Sequence, residues 1–297
     1  MLIKPTNIPY AEFDYYYAGT RTNYAEELLT ELEYCRLLSY VNNRTLIEKH
    51  CKNGRAVFVD SGAYTAMTQG TEIDIDKYID WLNTWSENIE KFCCLDVIPT
   101  EVISTEQSAK LTWENYLYMY ERLNEPHKLV YCFHRGESVD YLRKALEFGC
   151  KYIALGGVAH GKRAERREFF EQVQDEFTNY PNVHVHAFGV SDVKLLTEFT
   201  FIHGADSTSW LFPAKWSETQ HKCKSKVYWS GRNPEKQHHI NNLTDEQYFE
   251  LEDELALHGF TPEQMYGEDD AIKNRDAWQI LFWQEKFIPV RGQKQKN

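Results

Sequence analysis

What this sequence lacks narrows its class before any motif is considered. It contains no run of eighteen apolar residues, and its first residues, MLIKPTNIPYAEFDYYY, lack the basic, then apolar, then small-residue layout of a secretory leader. A membrane-spanning helix and an export signal are therefore not expected, and the chain reads as a soluble, cytoplasmic protein with no membrane partner. No CxxC or CxCxxC occurs. The seven cysteines, at 35, 51, 93, 94, 132, 150 and 223, are an odd number on a long chain, and most lie beside apolar residues. Reduced core thiols explain them better than a disulfide framework or a zinc site. Cys93 and Cys94 are adjacent on a strand-like run, where alternation would point them to opposite faces. No GxGxxG follows the first strand-like run, which argues against a dinucleotide site. Basic charge is scarce too: 33 Lys and Arg against 45 Asp and Glu leave a formal net charge of -12, which argues against wholesale electrostatic coating of a polyanion. Neither a metal nor a cofactor is expected.

Apolar material is sufficient for a large core, since 42% of the 297 residues are hydrophobic. Short apolar or β-branched runs recur: FDYYYAG (13 to 19), AVFVDSG (56 to 62), FCCLDVIP (92 to 99), KLVYCFHRG (128 to 136), YIALGGV (152 to 158), VHVHAFGV (183 to 190) and, more weakly, FIHGADSTSW (201 to 210). Helical patterns lie between them. Ile75, Tyr78, Ile79, Leu82 and Trp85 share one face, and Ser138 to Gly149 reads as cap, helix and terminal glycine. Ser191 can cap a helix through Leu195 and Leu196, and Asp192, beside it, is also read as a cap. Strand alternating with helix implies a parallel sheet. Seven or eight such units imply a closed (β/α)8 TIM barrel, expected here as a single α/β domain over residues 1–297. Beyond residue 210 the pattern loosens into a polar, basic insertion around 213–242. Then comes a helix whose Thr244 and Gln247 can form a capping box, whose apolar face runs through Tyr248, Leu251 and Leu255, and which Gly259 ends. A last amphipathic segment, Asp276 to Phe287, can close the barrel wall.

Asp60, Asp96, His134, Gly156, Gly157 and Asp206 each sit at the C-terminal end of an apolar run. In a parallel barrel those strand ends meet at one face, so residues more than a hundred positions apart are expected to converge on one pocket. Three carboxylates in a shared, partly dry pocket repel one another and push their pKa values apart, which suits nucleophile, acid and base roles. Replacing a base on a sugar with retention needs one carboxylate to trap the oxocarbenium-like carbon and a second group to protonate the departing base. Plainer readings stand beside these. Asp60 before Ser61 and Gly62 can be a loop former or cap, Gly156–Gly157 a tight turn, and Tyr64 rim packing, while His160, His184, His186 and His203 read as structural.

Six strings, taken in order, carry a family resemblance: VDSGAY (59 to 64), CLDVIP (94 to 99), HRG (134 to 136), ALGGVAHG (154 to 161), FGVSD (188 to 192) and GADSTSW (204 to 210). Over roughly residues 56 to 212 they resemble the barrel of the tRNA-guanine transglycosylase superfamily. The resemblance implies that Asp206 is the nucleophile that bonds to C1′ of the sugar, and that Asp60 does acid and base work on the base or supports the sugar. It implies that Tyr64 stacks on the purine and that Asp96 accepts hydrogen bonds from the base N1–H and exocyclic amine. Ser61, Gly156 and Gly157 complete the expected substrate contacts, the last through a backbone N–H that reaches O6 because glycine permits close approach. The family usually has glutamine near His134. His134 therefore stands between a contact to O6 or N7 and a supporting hydrogen bond, and it can favour another incoming 7-deazaguanine. Ala63 replaces the second glycine of the family's DSGG string, a small change.

The family's C-terminal zinc motif is absent, as is an additional tRNA-binding domain. That resembles the shorter DNA-modifying branch, the DpdA-type DNA-guanine transglycosylases of phages and bacterial modification clusters. The activity implied is exchange of guanine in DNA for a 7-deazaguanine such as preQ0, in the host cytoplasm if phage-encoded and with helper proteins as candidate partners. A base in DNA must first be exposed by flipping or strand opening. From Lys215 to His239 the basic residues Lys215, Lys222, Lys224, Lys226, Arg232 and Lys236 interleave with Trp216, Tyr228 and Trp229, while Asp245 to Asp276 is acidic. The basic segment is the candidate DNA grip, its plainer reading being a solvated loop. Two other functions stay open: the same chemistry on tRNA, and a non-catalytic nucleic-acid-binding barrel. The tail RGQKQKN reads as disordered.

Overall fold

The computed structural model describes residues 13–159, 161–223, 225–230, 234–267 and 270–290. His160, Lys224, Arg232 and the tail RGQKQKN lie outside the described residues. In chain order the first elements are β1 (Asp14–Ala18), α1 (Asn23–Glu31), β2 (Arg36–Ser39), α2 (Tyr40–Lys52), β3 (Phe58–Asp60), α3 (Ala63–Gln69), α4 (Ile75–Trp85) and β4 (Lys91–Cys93). They continue with α5 (Thr105–Tyr120), β5 (Leu129–His134), α6 (Val139–Phe148), β6 (Tyr152–Gly156), α7 (Arg163–Phe177), β7 (His184–Ala187), α8 (Val193–Glu198) and β8 (Gly204–Ser207). The eight strands close into one barrel, every neighbouring pair parallel, with β8 returning to β1. The fold is a (β/α)8 barrel.

By contacts the chain divides into two compact units. One holds β1 and residues 35–207, and the other holds residues 19–34 and the chain from Thr208 onward. In the first unit Ser138 caps α6 and Gly149 ends it with φ 92°, as the sequence leads one to expect, and Asp74 caps α4. The cap of α8 is Asp192, as one of the two readings had it, with its carboxylate accepting from Lys194 N and Leu195 N; the reading of Ser191 as the cap is corrected. The strand β2 had no signal of its own. Its four residues RLLS are too short to show alternation, and the strand exists because β1 and β3 supply partners on both sides, Tyr17↔Arg36 and Leu38↔Val59 among them.

The inside of the barrel is packed rather than open. Tyr16, Phe58 and His186 meet ring to ring at 5.0–5.5 Å. Lys91 Nζ lies 4.8 Å from the centre of the Tyr16 ring and 5.0 Å from that of Phe58. That buried ammonium is satisfied by the Tyr16 hydroxyl at 2.7 Å and by Glu90 Oε1 at 3.0 Å. All seven cysteines are free thiols and five of them are buried. Cys93 and Cys94 do not diverge, because β4 ends at Cys93 and both thiols reach that of Cys132.

The second unit contains α1 and, after the barrel sequence, α9 (Leu211–Lys215), an antiparallel pair β9 (Glu218–Thr219) and β10 (Val227–Tyr228), α10 (Asp245–Ala256), α11 (Pro262–Met265) and α12 (Asp270–Lys286). The Thr244–Gln247 capping box opens α10. Helix α12 begins earlier than its amphipathic pattern indicates. Its buried Asp276 pairs with Arg21 and accepts from Thr22 Oγ1 at 2.8 Å, a partner more than 250 residues away that no local pattern could reveal. No helix among the described residues is long and apolar enough to cross a membrane.

Candidate active site

The C-terminal strand ends of the barrel carry the acidic residues. Asp60 is the last residue of β3, His134 of β5 and Gly156 of β6, while Asp206 is the third of four residues in β8. Asp96 differs from expectation: β4 stops at Cys93, so its carboxylate comes from the loop that follows. Asp96 and Asp206 nevertheless both act on Asp60. Burial first, then the charges of Asp96 and Asp206, push the Asp60 carboxyl up to about 7, against two weaker backbone hydrogen bonds from Ser61 and Gly62. Asp60 is therefore within electrostatic reach of both Asp96 and Asp206, and it titrates near neutrality.

The sign of that shift has a stability consequence. The unfolded chain ionises Asp60 near 3.8 while the folded chain holds its proton to about 7, so this group lowers stability as pH rises between the two. Asp60→Asn is expected to stabilise the protein at pH 8 by roughly 1–4 kcal/mol, with a smaller gain at pH 5. Thermal unfolding at the two pH values measures this, and an Asn variant no more stable than wild type at pH 8 contradicts the reading.

Asp96 is held from two sides. Ser61 Oγ donates to its Oδ1 at 2.9 Å, and His134 Nε2 lies 3.1 Å from its Oδ2. On its other side the His134 ring meets Glu137, Nδ1 to Oε1 at 3.1 Å, and Glu137 Oε2 accepts from the His134 backbone N–H at 3.0 Å. Burial by itself would depress the imidazole, but the hydrogen bonds and charges of Asp96 and Glu137 outweigh it and push His134 up to about 10. A cation thus sits between two carboxylates at neutral pH. Both ring nitrogens of His134 face carboxylate oxygens, Nε2 that of Asp96 and Nδ1 that of Glu137. Glu137 was missed in the sequence. Its only signal is a carboxylate three residues after the histidine, in the tight turn closed by Glu137 N to His134 O.

Glycine at 156 follows from this arrangement. A Cβ there would stand 2.4 Å from His134 Cδ2 and 2.8 Å from its Nε2, so any larger residue displaces the ring. Gly156→Ala is expected to cost about 1–3 kcal/mol of stability through overpacking and to release His134 from Asp96. An imidazole that still titrates near 10 by NMR in this variant would count against it. Gly157, at φ +73°, makes the turn out of β6.

Asp206 is buried, and its Oδ1 takes two hydrogen bonds, from His186 Nε2 at 3.0 Å and from Gly189 N at 3.1 Å. His186 is the second residue missed. Judged by metal-ligand spacing the histidines near it looked structural, and its meeting with Asp206 depends on the β7–β8 register, His186↔Gly204, which no single strand encodes. Tyr64 stands 57% exposed in the first turn of α3, four residues after Asp60. Among the described residues no group of three or more His, Cys, Asp or Glu is placed to hold a metal ion.

The basic segment belongs to the second unit. Several of its lysines already face carboxylates there: Lys222 Nζ is 2.5 Å from Glu285, Lys226 is 3.4 Å from Glu218, and Lys236 is 4.0 Å from Glu218. Lys215 instead lies over the ring of Trp216, which is 61% exposed. Phe212, Pro213 and Trp216 line a cleft of about 320 Å³ with Glu218, Gln220, Ser225 and Lys226.

Fold and site together define a (β/α)8 barrel with Asp60 and a buried, hydrogen-bonded Asp206 at the C-terminal strand ends and Asp96 in the loop after β4, the last two acting electrostatically on the first. Compared with known protein families and with curated proteins, the chain matches none.

Proposed function

We propose that this chain is a transglycosylase that exchanges guanine in DNA for a 7-deazaguanine base of the preQ0 kind through a covalent sugar–aspartate intermediate. The observation that supports the reading is the action of the Asp96 and Asp206 charges on buried Asp60, which together with burial push its carboxyl up to about 7. These residues lie in strings that resemble the tRNA-guanine transglycosylase superfamily in order and spacing.

In the first half-reaction Asp206 Oδ2 bonds to C1′ as the C1′–N9 bond breaks, and the electron pair leaves with the guanine, which takes the Asp60 proton. In the second half the incoming base gives its N9 proton to the Asp60 carboxylate and bonds to C1′, and Asp206 departs as carboxylate. A carboxyl that titrates near neutrality can both give and receive that proton, the condition for acid and base work by one group. Asp96 keeps acceptor capacity on each oxygen beyond the bonds from Ser61 and His134, and so can take the N1–H and amine of guanine. Tyr64 supplies an exposed ring for stacking. In the second unit, Lys215 with the exposed rings of Phe212 and Trp216 offers stacking and charge to an opened strand.

The test offers duplex DNA, single-stranded DNA and tRNA, each with labelled guanine and with preQ0, and reads exchange by nucleoside mass spectrometry. Incorporation into DNA is expected. Incorporation into tRNA alone selects the same chemistry on another polymer, and no exchange into any of them by folded protein overturns the proposal.

A further inference from the structure

We propose that His186 is the positioning residue of the Asp206 nucleophile: its Nε2–H holds Oδ1, and with Gly189 N–H it fixes the carboxylate so that Oδ2 faces the sugar carbon. The inference rests on the transglycosylase reading above and goes further, because it assigns a role to a residue outside the motif aspartates.

Three features of the structure carry it. First, both hydrogen bonds to Asp206, from His186 Nε2 at 3.0 Å and Gly189 N at 3.1 Å, fall on the same oxygen. Second, the imidazole has no freedom to leave. The rings of Tyr16, Phe58 and Phe188 stand 5.4, 5.0 and 5.2 Å from it, and a Cβ at residue 204 would lie 3.1 Å from its Nδ1, a tight contact that glycine avoids. Third, the ring is neutral. Burial holds His186 below its ordinary value in spite of Asp206, and Nδ1 has no hydrogen-bond partner among the described residues, which assigns the one proton to Nε2.

Neutrality is chemically useful. A neutral donor orients the carboxylate without withdrawing the charge that makes it a nucleophile, whereas an imidazolium would weaken it. When Oδ2 bonds to C1′ and the base departs with the electron pair of the broken bond and the Asp60 proton, Oδ1 becomes the carbonyl oxygen of the ester. The same two N–H groups then polarise that carbonyl, which helps the carboxylate to leave in the second half.

The experiment uses the full chain with DNA and labelled guanine. His186→Phe keeps the aromatic packing and removes the donor, and His186→Gln keeps an N–H near the position of Nε2. His186→Leu replaces the first variant should it not fold, as judged by circular dichroism and thermal unfolding. For a misoriented nucleophile kcat is expected to fall about 100-fold in His186→Phe, with the rate of covalent adduct formation falling in step and KM moving less than about 3-fold. His186→Gln should recover to within about 10-fold of wild type. A folded His186→Phe or His186→Leu whose kcat is unchanged, or whose only change is in KM, overturns the positioning role while the transglycosylase reading stands. Wild-type protein that neither exchanges bases nor forms an adduct overturns both.

Discussion

Asp206→Asn is expected to abolish base exchange, lowering kcat by roughly 10⁴-fold or more, as removal of an attacking group does elsewhere. The amide is nearly the same size, and its oxygen can still accept from His186 Nε2 and Gly189 N, so the fold should persist. What disappears is an anionic oxygen able to bond to C1′. The check is a denaturation-resistant protein–DNA adduct, present in wild type and missing in the variant. A second consequence separates this outcome from simple damage. The Asp206 charge helps to raise Asp60, so the Asn variant should let the Asp60 carboxyl titrate lower than about 7, a shift visible by carboxyl NMR. An Asn variant that still forms the adduct would remove Asp206 from the role of nucleophile.

The second large effect concerns His134. Replacing it with leucine leaves Asp96 and Glu137, both mostly or fully withdrawn from solvent, without the cation between them. Removing one partner from a buried charge cluster is expected to destabilise the protein by roughly 3–5 kcal/mol. The pH dependence carries a definite sign. His134 is raised from 6.5 to about 10, so the stability it contributes is fully present below pH 6.5 and is lost as pH rises through about 10. Wild-type melting temperature should therefore decline across that window, and in His134→Leu the decline should flatten. Calorimetry at pH 6, 8 and 10 decides the matter, and an equally steep decline in both proteins would show that His134 is not its source. Guanine affinity should weaken as well, because Asp96 loses the contact that orients Oδ2.

How much of this was legible beforehand differs from element to element. Helix α4 was readable from one apolar face, and α6 from Ser138 and Gly149, because capping and amphipathicity are decided within a dozen residues. The longer strands could be found as apolar runs, since a strand buried on both faces must be apolar throughout. The strand β2 could not, because four residues carry no period and its hydrogen bonds come from β1 and β3. Of the site, Asp60, His134 and Asp206 were placed by the rule that a polar residue ending an apolar strand faces the barrel mouth. Asp96 belonged to that mouth as well, though it comes from a loop. Glu137 was hidden in a turn, and His186 was hidden because its partner is set by strand register.

The order of residues thus settled the class of fold and the acidic character of one end of the barrel. Both follow from short-range rules, the alternation of apolar runs with amphipathic helices and the solubility of carboxylates at strand ends. It did not settle which carboxylate is buried, which is paired and which keeps its proton. Those properties depend on distances between groups as far apart in chain order as Asp60 and Asp206, 146 residues, and burial and Coulomb interaction act through space rather than along the backbone. Closure of the barrel brings His186 to Asp206 and His134 between Asp96 and Glu137, and so converts a list of acids into groups with separate chemical tasks.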